Sequence, residues 1–171
     1  MTSIVKVIGV LGFVICLLVM YTTNHGIRGI QKFDPSFRLL DMRFHYNSEI
    51  VKHTFKQISE GGRIAYKKYL LLDFIFIGCF LITMITVSDI LFLSQPIKAT
   101  LYIVCVLRAL LDIFENILLL YMLGQYPEIN DSLATICSWI TTFKFIMLYI
   151  WFTSIAIQTV ILGVNSVKRY L

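Results

Sequence analysis

Four residues in an apolar stretch carry the first chemical signal. Residues 107 to 123 read LRALLDIFENILLLYML, and Arg108, Asp112, Glu115 and Asn116 stand near its middle. On a helix turning by about 100° per residue, all four fall on one face roughly 100° wide. Charges in such a place do one of two kinds of work. They lock helix register as a buried clasp, or they mark a path for an ion, a proton or a substrate. Arg108 and Asp112 are four apart and can pair within the helix, and Arg108 can lean toward Glu115. One carboxylate is then left over. Lys144, in ITTFKFIMLY, is the other cation deep in an apolar run, and Asp73 is the acid best placed to join the layer. Two cations against three acids imply that one acid keeps its proton.

The energetics say that this face needs partners. Three central charges oppose insertion by on the order of 9 kcal/mol, and the Leu, Ile, Val and Phe residues around them return roughly 6. Lys144 can supply the balance if its helix runs antiparallel alongside. Glu115 lies eight residues before Leu123, and Lys144 lies eight residues after Ile136, so the two reach similar depth.

The elements that must position these groups follow from composition. Of 171 residues, 58% are hydrophobic and 15% charged, with a mean hydropathy of +0.80. A soluble domain carries about a quarter charged residues, so most of this surface faces lipid. Four runs are long enough to cross a bilayer, at about residues 4–21, 69–93, 99–123 and 136–162. The last lies within an apolar stretch, 133–164, longer than the ~30 Å hydrocarbon layer. The first could be a cleaved leader, but Tyr21-Thr22-Thr23-Asn24-His25 lacks a small-x-small site, so we read it as a retained helix. Short links around Pro96 and Pro127 make the last three runs antiparallel neighbours. The expected fold is all-α, a four-helix transmembrane bundle forming a single integral membrane domain.

Residues 22–68 form the one sizeable polar segment, with turn chemistry at Gly26, Gly29 and Asp34-Pro35-Ser36. Asn47 or Ser48 can cap a short helix whose apolar face is Val51, Phe55 and Ile58, and Gly61 can end it in the left-handed region. This amphipathic helix is expected at the membrane surface or on the bundle. A new helix then starts near Arg63, with Tyr66, Lys67, Lys68 and Tyr69 at headgroup depth, and Tyr46 and Tyr66 serve as interface anchors. The segment holds nine Lys or Arg against four on the opposite side, namely Lys6, Lys98, Lys168 and Arg169. Positive-inside counting therefore places residues 22–68 in the cytoplasm. Anionic headgroups account for the +5 net charge, and no nucleic-acid partner is implied.

Other chemistry is weak. Cys16, Cys79, Cys105 and Cys137 lie one to a run with no metal spacing and read as small core residues. Glu49 and His53 are four apart but lack a third ligand, and His25 reads as a loop residue, so no metal or cofactor is expected. Asp41 and Arg43 read as a local ion pair, or with Arg63 and Lys67 as a phosphate-headgroup site. Asp89 is expected at the opposite interface. Lys144, Leu148, Trp151, Ile155 and Gln158 share one helix face, and an inward Gln158 would extend the polar layer toward the other leaflet.

Three short motifs resemble a family of small, mostly bacterial four-span membrane proteins without an assigned activity. They are Leu40-Asp41-Met42-Arg43-Phe44-His45-Tyr46, Gly62-Arg63-Ile64-Ala65-Tyr66 running on to Leu72-Asp73, and Asp112-Ile113-Phe114-Glu115-Asn116. The resemblance implies one design joining the loop motif to the acids of the third span, in a bacterial cytoplasmic membrane. His45 stands where a smaller residue is expected.

Hydrolase, metalloprotease, redox and nucleotide-binding signatures are all missing from the sequence. The leading expectation is a non-enzymatic protein that binds a lipid or protein partner, or its own copy, as an assembly, immunity or accessory factor. A proton-coupled carrier using Asp112, Glu115 and Lys144 is the alternative, and a lipid-modifying enzyme is the third.

Overall fold

Long apolar runs in lipid have to close their own backbone hydrogen bonds, and here they do so as helices. The computed structural model describes residues 1–168. Along the chain come α1 (Ser3–Thr22), α2 (Ile27–Gln31), a 3-10 turn (Leu40–Met42), α3 (Ser48–Gln57), α4 (Ser59–Leu91), α5 (Gln95–Gln125) and α6 (Asp131–Lys168). No strand occurs among the described residues. Helix α1 packs on α4, α4 on α5, and α5 on α6. Arg169 lies outside the described residues.

Among the described residues three stretches are long and apolar enough to cross a membrane: Ser3–Gln31, Ser59–Leu91 and Asp131–Ser166. Helix α5 is of similar length, at 31 residues, but carries the charged face. Ile75, Ile103, Phe114, Tyr149 and Ile157 all stand exposed on the outside of the bundle. An apolar surface that extensive is a lipid-facing surface.

The polar segment folds as a lid on one end of the bundle. Asn47 caps α3, its side chain accepting from the Ile50 amide at 3.0 Å. Val51, Phe55 and Ile58 are fully buried, packed with Ile30, Phe37, Leu39, Leu40, Tyr66, Leu119 and Met122. Each such side chain contributes about 1.5–3 kcal/mol on leaving water. The apolar face of α3 therefore lies on the bundle.

Several local expectations need correction. Gly61 does not end α3; no glycine has a positive φ, and the break falls at Ser59, with φ 56°. Helix α4 accordingly starts four residues before Arg63. Gly61 and Gly62 lie inside its first turns, where a Cβ would collide with Phe33 and Ile58. Tyr46 and Tyr66 are not interface anchors, because both are buried in the lid core. Burial, with Cys137 and Glu115 adding to the rise, carries the Tyr46 phenol well above its ordinary range.

At the far end, Lys6 Nζ donates to Asp89 at 2.7 Å, and the Tyr102 hydroxyl donates to the same carboxylate. This contact ties α1 to α4 and α5 with Asp89 only half-buried. Trp151 Nε1 donates to Ser88 Oγ at 3.0 Å. Gln158 Nε2 donates to the Leu91 carbonyl at 3.0 Å, closing an open acceptor at the end of α4. Gln158 thus caps a helix and adds nothing to the polar layer around Lys144.

Candidate intramembrane site

Helical phase sets the first half of the site. Arg108, Asp112, Glu115 and Asn116 all point inward from α5, and each is buried. Lys144 enters from α6, also buried, and its ammonium meets three acceptors. These are Asp112 Oδ1 at 2.9 Å, the Asp41 carbonyl at 3.0 Å and Glu115 Oε2. An ammonium has three N–H groups, so Lys144 is fully satisfied. The second Glu115 oxygen accepts from the Thr141 hydroxyl, whose residue lies one turn before Lys144 on α6. Glu115 and Lys144 are thus in direct contact across the α5–α6 interface.

Arg108 reaches down its own helix, placing Nη2 2.5 Å from Asp112 Oδ2. The contact is an ion pair by distance but lacks hydrogen-bond alignment. The guanidinium lies 4.6 Å above the Phe80 ring, a cation–π contact from α4. Its Nε and Nη1 are buried without an acceptor. On the other flank, Asn116 Nδ2 donates to Asp73 Oδ2 at 2.7 Å. The helices α4, α5 and α6 therefore share one connected polar layer.

The loop contributes a member that the layer, read from the sequence, did not include. The 3-10 turn drops Asp41 into the bundle, where it is 5% exposed. The Tyr46 amide donates to Ser138 Oγ at 2.9 Å, and the Ser48 hydroxyl bonds Asp131, so the end of this loop that enters α3 is sewn to α6. Burial pushes the Asp41 carboxyl up to about 7, with Lys144 pulling it down and Glu115 and Asp112 adding to the rise. The expected Asp41–Arg43 ion pair does not form; Arg43 is exposed and Asp41 faces inward. The flanking pattern, with Leu39 and Leu40 apolar beside Asp41, was the available signal for an inward turn.

The expected headgroup set also divides. Arg63 donates to the Phe55 carbonyl at 3.0 Å and stacks 4.4 Å over Tyr126, so it staples α4 to the end of α3. Arg63 and Lys67 line one surface hollow, whereas Arg43 lines another with Arg38. Asp41, Arg43, Arg63 and Lys67 are not one cluster.

Between α1, α4, α5, α6 and the 3-10 turn lies a cavity of about 160 Å³. Leu17, Met20, Phe76, Phe80 and Leu148 make its apolar wall, and Asp41, Asp73, Arg108, Asp112 and Lys144 its polar side. Tyr21 and Met42 line both this cavity and the groove bearing Arg38 and Arg43. Among the described residues no three His, Cys, Asp or Glu side chains gather as a metal site. Glu49 and His53 are exposed on α3, and the four cysteines are free.

The helical architecture and its long apolar helices define a helical membrane protein. No family model matches the chain, and no curated protein or solved structure matches it either.

Proposed function

We propose that this is a four-span membrane protein that binds one membrane amphiphile, with the polar end of the ligand in the cavity beside Arg108. The fourth span is α5. It lies between α4 and α6 and is as long as a span needs to be, and its inward charges meet counter-charges on α6. Residues 22–68 lie on the cytoplasmic side, following their nine basic residues.

One observation carries the binding reading. Arg108 keeps two buried nitrogens, Nε and Nη1, without acceptors, Asp41 keeps a buried carboxyl oxygen without a donor, and both residues line the same cavity. Buried polar groups are normally paired, so orphans of both signs beside a hollow point to something that fills it. The carrier reading has less support, because Gln158, which a path to the other face would use, serves the Leu91 carbonyl.

A second reading keeps one specific observation. The cavity reaches Asp41 and adjoins the Arg43 groove, the arrangement expected of an enzyme acting on a lipid headgroup.

Native mass spectrometry of the purified protein tests both. Binding predicts one co-purified lipid per chain, lost when Leu148→Trp fills the cavity without lowering folded yield. A bound lipid whose mass changes with time in the wild type identifies the enzyme. A lipid-free wild type refutes the binding reading.

A further inference from the structure

The charge balance of the polar layer narrows what can occupy it. Asp112 and Glu115 are neutralised by Arg108 and Lys144. Lys144 has no donor left, and both Glu115 oxygens are taken. Asp41 and Asp73 remain. Among the described residues neither has a cation partner within ion-pair distance; Asp73 has an amide donor from Asn116, and Asp41 Oδ1 has none. Both line the cavity, and so does Arg108, whose Nε and Nη1 have no acceptor.

A ligand completing this wall must do two opposite things. It must offer N–H donors and positive charge to the carboxyls, and acceptors to the guanidinium. A simple anion would satisfy Arg108 but be repelled by Asp41 and Asp73. A quaternary amine would bring charge without a hydrogen to donate. A phosphate ester bearing a primary ammonium meets both demands, since guanidinium donors suit phosphate oxygens and an ammonium donates to carboxylates.

We propose that the cavity holds the headgroup of an aminophospholipid, its ammonium between Asp41 and Asp73 and its phosphate on Arg108. This rests on the amphiphile-binding reading and names the chemistry of the polar end. A volume near 160 Å³ suits a headgroup rather than acyl chains; it is room for about five water molecules at ~30 Å³ each. Asp73 stands five residues beyond Lys68 on α4, about 8 Å along the axis, so the headgroup sits below the level of the surface lysines. Leu17, Phe76 and Leu148 carry the start of the chains.

The experiment incorporates the full chain into nanodiscs of equimolar phosphatidylethanolamine, phosphatidylglycerol and phosphatidylcholine, then reads the lipid released with the protein by native mass spectrometry. Phosphatidylethanolamine is expected roughly tenfold or more over either competitor, the scale of one charge-assisted hydrogen bond. Asp73→Asn retains an acceptor for Asn116 and is expected to bring the preference over phosphatidylglycerol to about one. Should Asp73→Asn fail to fold, Asp41→Asn tests the same point. Equal or better retention of phosphatidylglycerol or phosphatidylcholine by the wild type overturns the headgroup assignment and leaves amphiphile binding intact. An unchanged preference in the variant that folds overturns it as well. Absence of any retained lipid removes the binding reading too.

Discussion

Lys144 is the residue on which the layer turns, because its three donors join α5, α6 and the loop turn. Removing one partner of a buried ion pair leaves the other charge stranded, at about 3–5 kcal/mol. Lys144→Met should therefore lower the melting temperature in detergent sharply, with Glu115→Gln in the same chain restoring part of the loss. A double variant no better than the single would mean that the two side chains act independently. Asp41 gives a pH signature. Its carboxyl is raised from the usual value near 4 to about 7, so the folded state binds the proton more tightly than the unfolded one. The associated stability is complete below about pH 4 and is lost as pH rises through 7. The wild-type melting curve should fall across that window relative to Asp41→Asn, and parallel curves would place Asp41 in water.

At the scale of elements, the lid depends on close approaches more than on caps. The first turns of α4 carry Gly61 and Gly62 against Phe33 and Ile58. Gly62→Val should lower stability by about 1–3 kcal/mol through overpacking, even though valine belongs in apolar helices. A melting temperature equal to wild type would show that the lid can shift away. His45 shows the same logic in the backbone. Its φ is 50°, a region that glycine enters freely, which is the physical reason a smaller residue suits that position. His45→Val should cost more than His45→Gly, because a β-branched side chain is a real outlier at that φ.

For the whole molecule, the lid places every basic residue of segment 22–68 at one end of the bundle, while Lys6, Asp89 and Lys98 mark the other. Lys56 is exposed on α3. With this end in the cytoplasm, a cysteine at Lys56 should resist an impermeant thiol reagent in intact cells and react after lysis. Labelling from outside would invert the topology without altering the fold.

Much of the molecule was legible in the amino-acid order because the relevant forces are local. Apolar length demands helices in lipid, and a spacing of three and four puts Arg108, Asp112, Glu115 and Asn116 on one face. The same arithmetic brings Lys144 level with Glu115. What the order of residues left open depends on approach between distant segments. Asp41 is 103 positions from Lys144 in the chain, and no periodicity links them. Gly61 had the composition of a helix end, yet the approach of Phe33 made it part of a helix. Arg63 read as a headgroup ligand and Gln158 as an extension of the polar layer until packing set carbonyl acceptors beside them. Sequence by itself determined which stretches are apolar enough to meet lipid and which residues share a face, since both follow from composition and helical pitch. Only the tertiary structure decided which buried groups are satisfied and which still face a cavity, since that depends on what every neighbouring element brings within about 3 Å.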